Sequence, residues 1–184
     1  MTGIDKIRKA LVLASKNLKD QNYIQAQEYF EQAIKLDPKS WTIQNNLGII
    51  YKKLGQYQNA IDIFQKIIDN NPKIPEPHNN LANIFKEIGL IKESEKHYFK
   101  ALKLKPNSVE YFFNLAVFYS DTGNIQKATI YYKKILSIQP NNFHIYYQLS
   151  KIKKNTLDDE LNRKILSLEK KNIPKLNLAY LYFI

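Results

Sequence analysis

The sequence contains no cysteine, so disulfide bonds and metal sites built from thiolates are excluded. It also has no uninterrupted apolar run of the length, about 18 residues or more, that a membrane-spanning helix needs. The first residues already show a helical spacing of apolar side chains instead of one long apolar run, so we expect no signal peptide. These absences predict a cytoplasmic protein without membrane spans.

Groups that would carry out catalysis or hold a cofactor are missing as well. No glycine-rich phosphate-binding loop occurs, and the three histidines, at 78, 97 and 144, lack the spacing of metal ligands. We expect each histidine to stand alone as a structural or surface residue. The acidic run 158–160 is explained by the start of a helix, where the helix dipole favours negative charge. The sequence therefore predicts no catalytic residue, no metal site and no cofactor, in a protein that is not an enzyme.

Acidic residues are fewer than basic ones, with 17 Asp and Glu against 28 Lys and Arg, which gives a formal net charge of +11. Such a balance can indicate binding to nucleic acid or to an acidic membrane surface. The lysines are scattered along the whole chain, however, so we interpret them as solvated helix faces and argue against a nucleic-acid partner. We still expect acidic partners to be attracted, with an effect that fades as salt is added.

Three residue types recur with a period of 34 residues. The repeated prolines, glycines and leucines are Pro38, Pro72, Pro106 and Pro140; Gly55, Gly89 and Gly123; and Leu13, Leu47, Leu81, Leu115 and Leu149. A sustained period of this length predicts a solenoid, because one such unit is too small to bury its own apolar face and must stack on its neighbours.

Each unit reads as two helices joined by a turn. In the unit 41–74, Leu47, Gly48 and Tyr51 share one helix face, Gly55 ends the first helix in a left-handed conformation, and the second helix stops before Pro72. A small residue follows each repeated leucine, which would let paired helices approach closely. These small residues are Ala14, Gly48, Ala82, Ala116 and Ser150.

The same patterns predict the helix bounds. We expect helix pairs at 5–19 with 23–36, 41–54 with 57–70, 75–88 with 91–104, and 109–122 with 125–138. A further helix is expected at 142–154, followed by one at 157–170 that opens with a capping box between Thr156 and Asp159. The last piece, 174–184, is apolar, so we expect the chain either to continue beyond it or to dock or self-associate through it.

The unit resembles the tetratricopeptide repeat. The fourth unit matches that signature at Phe112, Leu115, Ala116, Tyr119, Ala128, Tyr132 and Pro140. The resemblance implies an all-α fold, a right-handed α-solenoid of antiparallel helix pairs. It assigns four repeats to 1–142, at about 7–40, 41–74, 75–108 and 109–142, and leaves 143–184 as a degenerate fifth repeat with C-terminal capping or docking helices.

In this family the first helix of each pair lines a concave groove. There the sequence places Asn46, Asn80 and Asn114, again 34 apart, in an arrangement similar to the asparagine ladder of O-linked N-acetylglucosamine transferase. An asparagine amide can bond both groups of a peptide backbone, so we predict a scaffold that binds an extended peptide or partner segment. Other residues predicted to line or edge the groove are Asn45, Asn79, Asn83, Phe113, Tyr147, Lys52, Lys53 and Lys86.

The sequence also bears on three alternative functions. The carboxylate clamp of chaperone-binding repeats needs Lys and Asn where the first unit has Leu11 and Ser15, and Lys and Arg where the third unit has Glu76 and Asn80. The missing cations argue against a chaperone C-terminus. The segment after the repeats resembles that of bacterial proteins joining tetratricopeptide repeats to a sulfotransferase domain, which implies a non-catalytic, substrate-presenting arm of a larger transferase. An RNA-binding helical repeat is the second alternative, although the predicted groove is mainly amide rather than basic.

Overall fold

The computed structural model describes residues 2–152 and 159–170, with side chains through 167 in the second segment. These residues form helices and no strand, so the predicted all-α class is confirmed. Through residue 138 the helix bounds agree with the predicted ones to within two residues. The helices are α1 (Gly3–Lys19), α2 (Tyr23–Leu36), α3 (Trp41–Lys53), α4 (Tyr57–Asn70), α5 (Glu76–Glu87), α6 (Ile91–Leu104), α7 (Val109–Asp121), α8 (Ile125–Ile138), α9 (Phe143–Ser150) and α10 (Asp159–Lys170).

The chain divides into two compact units, Met1–Pro106 and Asn107–Ile184. In the first unit α1 packs on α2, α3 on α4 and α5 on α6, and the pairs contact one another through α2 with α3 and α4 with α5. In the second unit α7 packs on α8, α8 on α9 and α9 on α10. The boundary falls at the junction of the third and fourth repeats. Among the described helices, none combines the length and apolar character that crossing a bilayer requires.

Small residues bring the paired helices of the first unit close together. Gly48 on α3 faces the ring of Phe64 on α4, and a Cβ atom added at Gly48 would lie 2.7 Å from the Cζ atom of that ring. Phe64 is completely buried, so the ring has little room to move. The predicted role of the small residue after each repeated leucine is therefore confirmed at this position.

The turn inside each repeat depends on one residue with a positive φ. Gly55 has φ 72°, its N–H donates to the Lys52 carbonyl at 3.0 Å, and the next N–H donates to the Tyr51 carbonyl at 2.8 Å. This bonding satisfies helix-terminal carbonyls as in a Schellman motif. In the first repeat the equivalent residue is Gln21, which adopts φ 55° with the same pair of bonds. The turn geometry is thus kept even without glycine.

The prediction of a helix at 142–154 is wrong at its C-terminal end. Helix α9 ends at Ser150, and the chain then turns so that the N–H of Ile152 donates to the Leu149 carbonyl at 3.0 Å. The turn buries the Ile152 side chain, which a continuing helix would place elsewhere. Thr156 of the predicted capping box and the apolar end 174–184 lie outside the described residues.

Candidate functional site

The first unit carries a pair of asparagine side chains from successive first helices. Asn80 on α5 donates its Nδ2 to the Oδ1 of Asn45 on α3 at 3.0 Å, and both residues are partly buried. The bond leaves the Nδ2 group of Asn45 as a donor and the Oδ1 of Asn80 as an acceptor. A peptide backbone offers the complementary carbonyl and N–H. We call Asn45 and Asn80 the amide pair.

This contact differs in register from the predicted ladder of Asn46, Asn80 and Asn114. The paired residues are 35 apart rather than 34, so Asn80 contacts the residue before its own equivalent, Asn46. Stacked repeats are rotated relative to one another, and for this reason equivalent side chains do not simply face each other. Asn46 is partly buried on α3, while Asn114 is partly buried on α7 in the second unit.

Two other predicted groove asparagines are engaged within the first unit. Asn79 is only 4% exposed. The Oδ1 of Asn83 accepts a hydrogen bond from the Tyr98 hydroxyl at 2.5 Å, between α5 and α6. Asn79 is therefore buried and Asn83 is hydrogen-bonded to the second helix of its own repeat.

The lysines predicted to edge the groove do not form a free cationic rim. Lys52 on α3 makes a salt bridge of 2.9 Å with Glu87 at the end of α5. The same carboxylate raises the pKa of the Tyr57 hydroxyl through its negative charge. Lys53 is exposed and Lys86 is partly buried. The charge of Lys52 is thus largely balanced inside the protein.

The first repeat presents a surface of different chemistry, which sequence reasoning missed. Leu11 and Val12 stand 34 residues before Asn45 and Asn46, and Val12 is 63% exposed. Ile4 on the same helix is 70% exposed. A depression of about 650 Å³ runs along this side of α1 and is also lined by basic residues, Arg8, Lys16 and Lys19. Comparing the repeats position by position in the sequence would have revealed this difference.

Two histidines predicted to stand alone are in contact, which corrects that prediction. The Nδ1 atoms of His78 on α5 and His97 on α6 are 3.2 Å apart, and both side chains are buried. Burial, with the nearby Lys100 ammonium, lowers the pKa of both rings, that of His97 to about 4. Both are therefore neutral near pH 7, and one ring can donate to the other. Among the described residues no group of three or more metal-ligating side chains occurs.

Two aromatic residues of the second unit were predicted to line the groove. Phe113 packs against neighbouring rings, and Tyr147 has a lysine ammonium above its ring. The Phe113 ring lies 6.3 Å from the Tyr132 ring and 5.4 Å from the His144 ring. Burial and Lys151 lower the pKa of His144. Tyr147 is partly open to solvent, and the Lys151 Nζ lies 4.2 Å above its ring centroid.

A cleft of about 1050 Å³ also lies in the second unit. Its lining combines basic side chains of α8 and α10, Lys133, Arg163 and Lys164, with the carboxylate of Glu160. Tyr146 closes one side and donates its hydroxyl to the Pro140 carbonyl at 3.0 Å. Sequence reasoning missed this cleft, because its residues come from non-equivalent positions of different helices.

Comparisons with known proteins point to one family. Tetratricopeptide repeat models match residues 11–75, 75–108 and 109–142. The matches stop at 142, so the sulfotransferase resemblance of the following segment stays a prediction. No curated protein matches the chain.

Solved structures resemble the chain in fold. The MamA protein has a TM-score of 0.67 at 19% identity, covering 91% of this chain and 94% of MamA. YrrB, described as a tetratricopeptide repeat protein with an unusual peptide-binding site, has a TM-score of 0.61 at 21% identity, covering 76% of this chain and 71% of YrrB. An O-GlcNAc transferase mutant from Thermobaculum terrenum scores 0.59 at 18% identity, covering 65% of this chain and 23% of the transferase. With its 34-residue units, its antiparallel helix pairs and its family matches, the chain belongs to the tetratricopeptide repeat family.

Proposed function

We propose that this protein is an interaction scaffold that binds an extended segment of a protein partner across the first helices of its repeats. The observation that carries the proposal is the amide pair, Asn45 and Asn80, held by a 3.0 Å hydrogen bond between neighbouring repeats. We assign the repeats to 1–142 and a degenerate fifth repeat with C-terminal helices to 143–184.

The amide pair suits a main chain better than a particular side chain. The hydrogen bond holds the two carboxamides in one orientation, so little side-chain entropy is lost when a ligand binds. A donor on Asn45 and an acceptor on Asn80 can then bond the carbonyl and N–H of an extended segment. Recognition of this kind depends little on the partner's sequence, and side-chain preferences must come from the surrounding surface. The peptide-binding site ascribed to YrrB supports a peptide ligand for this fold.

The proposal is tested with peptides selected from a displayed random library on the full chain. The selected peptide is labelled and titrated by fluorescence anisotropy against the wild type, Asn45→Ala, Asn80→Ala and the double variant. Asn59→Ala is the matched control, since Asn59 is an exposed asparagine on α4. We expect the double variant to bind about 30-fold more weakly, because two hydrogen bonds of roughly 1 kcal/mol each are lost.

Three results would overturn the proposal. The wild type could select no peptide, the double variant could bind as tightly as Asn59→Ala, or the loss could be accompanied by reduced helicity in circular dichroism. Single-stranded RNA titrated at low salt is expected to give no signal. RNA binding in the absence of peptide binding would instead favour the nucleic-acid alternative.

A further inference from the structure

One side of α1 combines exposed aliphatic side chains with basic ones, and we call it the α1 face. It is lined by the aliphatic residues Ile4, Leu11 and Val12 and by the basic residues Arg8, Lys16 and Lys19. These positions share one helix face because they recur at three-, four- and seven-residue spacings. The face lines the depression of about 650 Å³ described above.

The α1 face borders the side of the helix that packs into the core, since Leu11 itself is partly buried and contacts the core cluster. Ala10 and Ala14 are buried against α2 and α3 in one core cluster with Phe30 and Leu47. Ile4 and Val12, by contrast, are 70% and 63% exposed. Single exposed aliphatic residues are ordinary, but adjacent ones around a depression indicate an interaction surface.

The charge around the α1 face is positive and is not balanced along its own helix. Five basic residues lie on α1 against one acidic residue, Asp5. The Asp5 carboxylate accepts from the N–H and hydroxyl of Thr2 at 2.9 and 2.8 Å, which ties it to the helix start. Charge complementarity therefore calls for an acidic partner, which the net charge of +11 would also attract over a distance.

The α1 face includes a residue at the repeat position that Asn45 of the amide pair occupies in the next repeat. Leu11 precedes Asn45 by 34 residues, so it occupies in the first repeat the position that Asn45 occupies in the second. Helices α1 and α3 contribute to the same core cluster. Both helices pack on α2. Packed helices are roughly 10 Å apart, so α1 and α3 are separated by at most about 20 Å, which about six residues of an extended chain span.

We propose that the α1 face docks an acidic, apolar end of the same extended partner segment whose backbone binds the amide pair. This proposal rests on the proposed function and adds the partner's chemistry. The segment has aliphatic side chains that cover Ile4 and Val12, with glutamates or aspartates placed against Arg8 and Lys19. A protein segment is favoured over a lipid surface because the adjacent amide pair complements a peptide backbone, which lipids lack.

The probe is a fluorescein-labelled peptide of alternating leucine and glutamate, titrated by anisotropy against the full chain. The test variant combines Ile4→Asn with Val12→Asn, which gives position 12 the residue of its equivalent Asn46. Ile24→Asn on α2 is the matched control, since Ile24 is 67% exposed outside the α1 face. We expect the test variant to bind at least tenfold more weakly and the control to bind as the wild type does.

A second variant isolates the charge contribution. Arg8→Glu with Lys19→Glu should weaken binding of the acidic peptide and remove most of its salt dependence, because the screened attraction is gone. A peptide with lysine in place of glutamate should not bind the wild type. Lys92→Glu with Lys103→Glu on α6, where both lysines are exposed, is the control for the same change in net charge.

The outcomes separate this inference from the proposed function. If the library-selected peptide still depends on Asn45 and Asn80 but the acidic peptide binds Ile4→Asn/Val12→Asn normally, only this inference is overturned. If neither peptide binds, the proposed function fails with it. Binding to phosphatidylcholine–phosphatidylserine vesicles that requires Val12, without binding of the acidic peptide, would overturn the inference in favour of a membrane surface.

Discussion

The two units present different surfaces on the same helical frame. Where the first unit has the amide Asn45, the second has Phe113, and where the first has Ile63, the second has Tyr131. In the second unit the Tyr119 and Tyr131 rings are stacked at 5.8 Å. Ammonium groups lie above this aromatic patch, with Lys127 Nζ 4.7 Å from the Tyr119 centroid and Lys134 Nζ 5.2 Å from that of Tyr131.

The difference shows which positions specify the fold and which can vary between repeats. Both units bury the repeated leucine, Leu81 in the first and Leu115 in the second, and both bury a small residue directly after it. At other positions, such as 45 and its equivalent 113, the side chain changes from an amide to an aromatic ring while the same helices remain paired. A repeat protein can therefore change its binding chemistry one repeat at a time.

The largest effect is expected from truncating the repeated leucine in either unit. Leu81→Ala and Leu115→Ala should each reduce the free energy of unfolding by about 2–5 kcal/mol, because both remove buried methyl groups and leave a cavity. Leu13→Ala should cost less, since Leu13 is only partly buried. Urea denaturation followed by circular dichroism measures all three. A loss at Leu13 as large as at Leu81 would contradict the argument from burial.

The close helix approach in the first unit is broken by Gly48→Ala. The added Cβ would lie 2.7 Å from the Phe64 ring, so we expect a net loss of about 1–3 kcal/mol, although alanine favours a helix by about 1 kcal/mol. Phe64→Leu in the same chain should recover part of the loss. In the second unit Ala116→Gly is the matched change, and it should cost about 2 kcal/mol, of which about 1 kcal/mol is helix propensity and the rest is the loss of a buried methyl group. A gain in stability from Gly48→Ala would show that the ring can move aside.

Acid should destabilise the first unit through its histidine pair. The pKa of His97 is lowered to about 4 and that of His78 is also lowered, so in this range the unfolded chain binds more protons than the folded one. Stability should therefore fall as pH drops from about 6.5 towards 4, by on the order of 1–2 kcal/mol between pH 7 and 5.

A substitution taken from the second repeat isolates that pH effect. His97→Ile introduces the residue of the equivalent position, Ile63, and should flatten the pH dependence in thermal or urea unfolding. His144 in the second unit, with its own lowered pKa, remains and gives a residual slope. An unchanged pH profile in His97→Ile would show that the pair does not titrate on unfolding.

The smallest effects are expected at the repeat turn. Gln21→Gly should stabilise the first unit by up to about 1 kcal/mol, because a non-glycine residue with positive φ is strained. Gly123→Gln in the second unit, where φ is 79°, should cost about as much. Thermal unfolding of the two variants checks both signs. Equal values for Gln21→Gly and the wild type would mean that glycine's extra freedom in the unfolded chain cancels the gain.

The helix positions could be predicted from local sequence, and the predictions that failed concern contacts between helices. The glycine and proline spacing placed the turns and helix ends correctly through residue 138, since these residues act on the backbone directly. The end of α9 was missed because it depends on burying Ile152, a tertiary effect. The contact of His78 with His97 was missed because the two lie on different helices, 19 residues apart.

For the candidate site, the sequence predicted the type of residue but not the contacts between the residues. The sequence indicated asparagines on the first helices, but the 35-residue offset of the Asn80–Asn45 bond depends on how successive repeats stack. Burial of Asn79 and the salt bridge of Lys52 with Glu87 likewise remove groups that the sequence pattern alone presents as available. The peptide ligand, the sulfotransferase connection and the role of the apolar end stay predictions.

By itself the sequence determined the repeat, its length, the helix pairs and the positions of the core residues. All of these follow from short-range periodicity and from the backbone preferences of glycine and proline, which each unit repeats. Only the tertiary structure decided which side chains stay accessible, such as Ile4 and Val12 of the α1 face, and which are buried, such as Asn79 and Tyr119. Availability is set by contacts between helices, and two identical residues in equivalent positions can differ in burial and bonding once neighbouring helices pack against them.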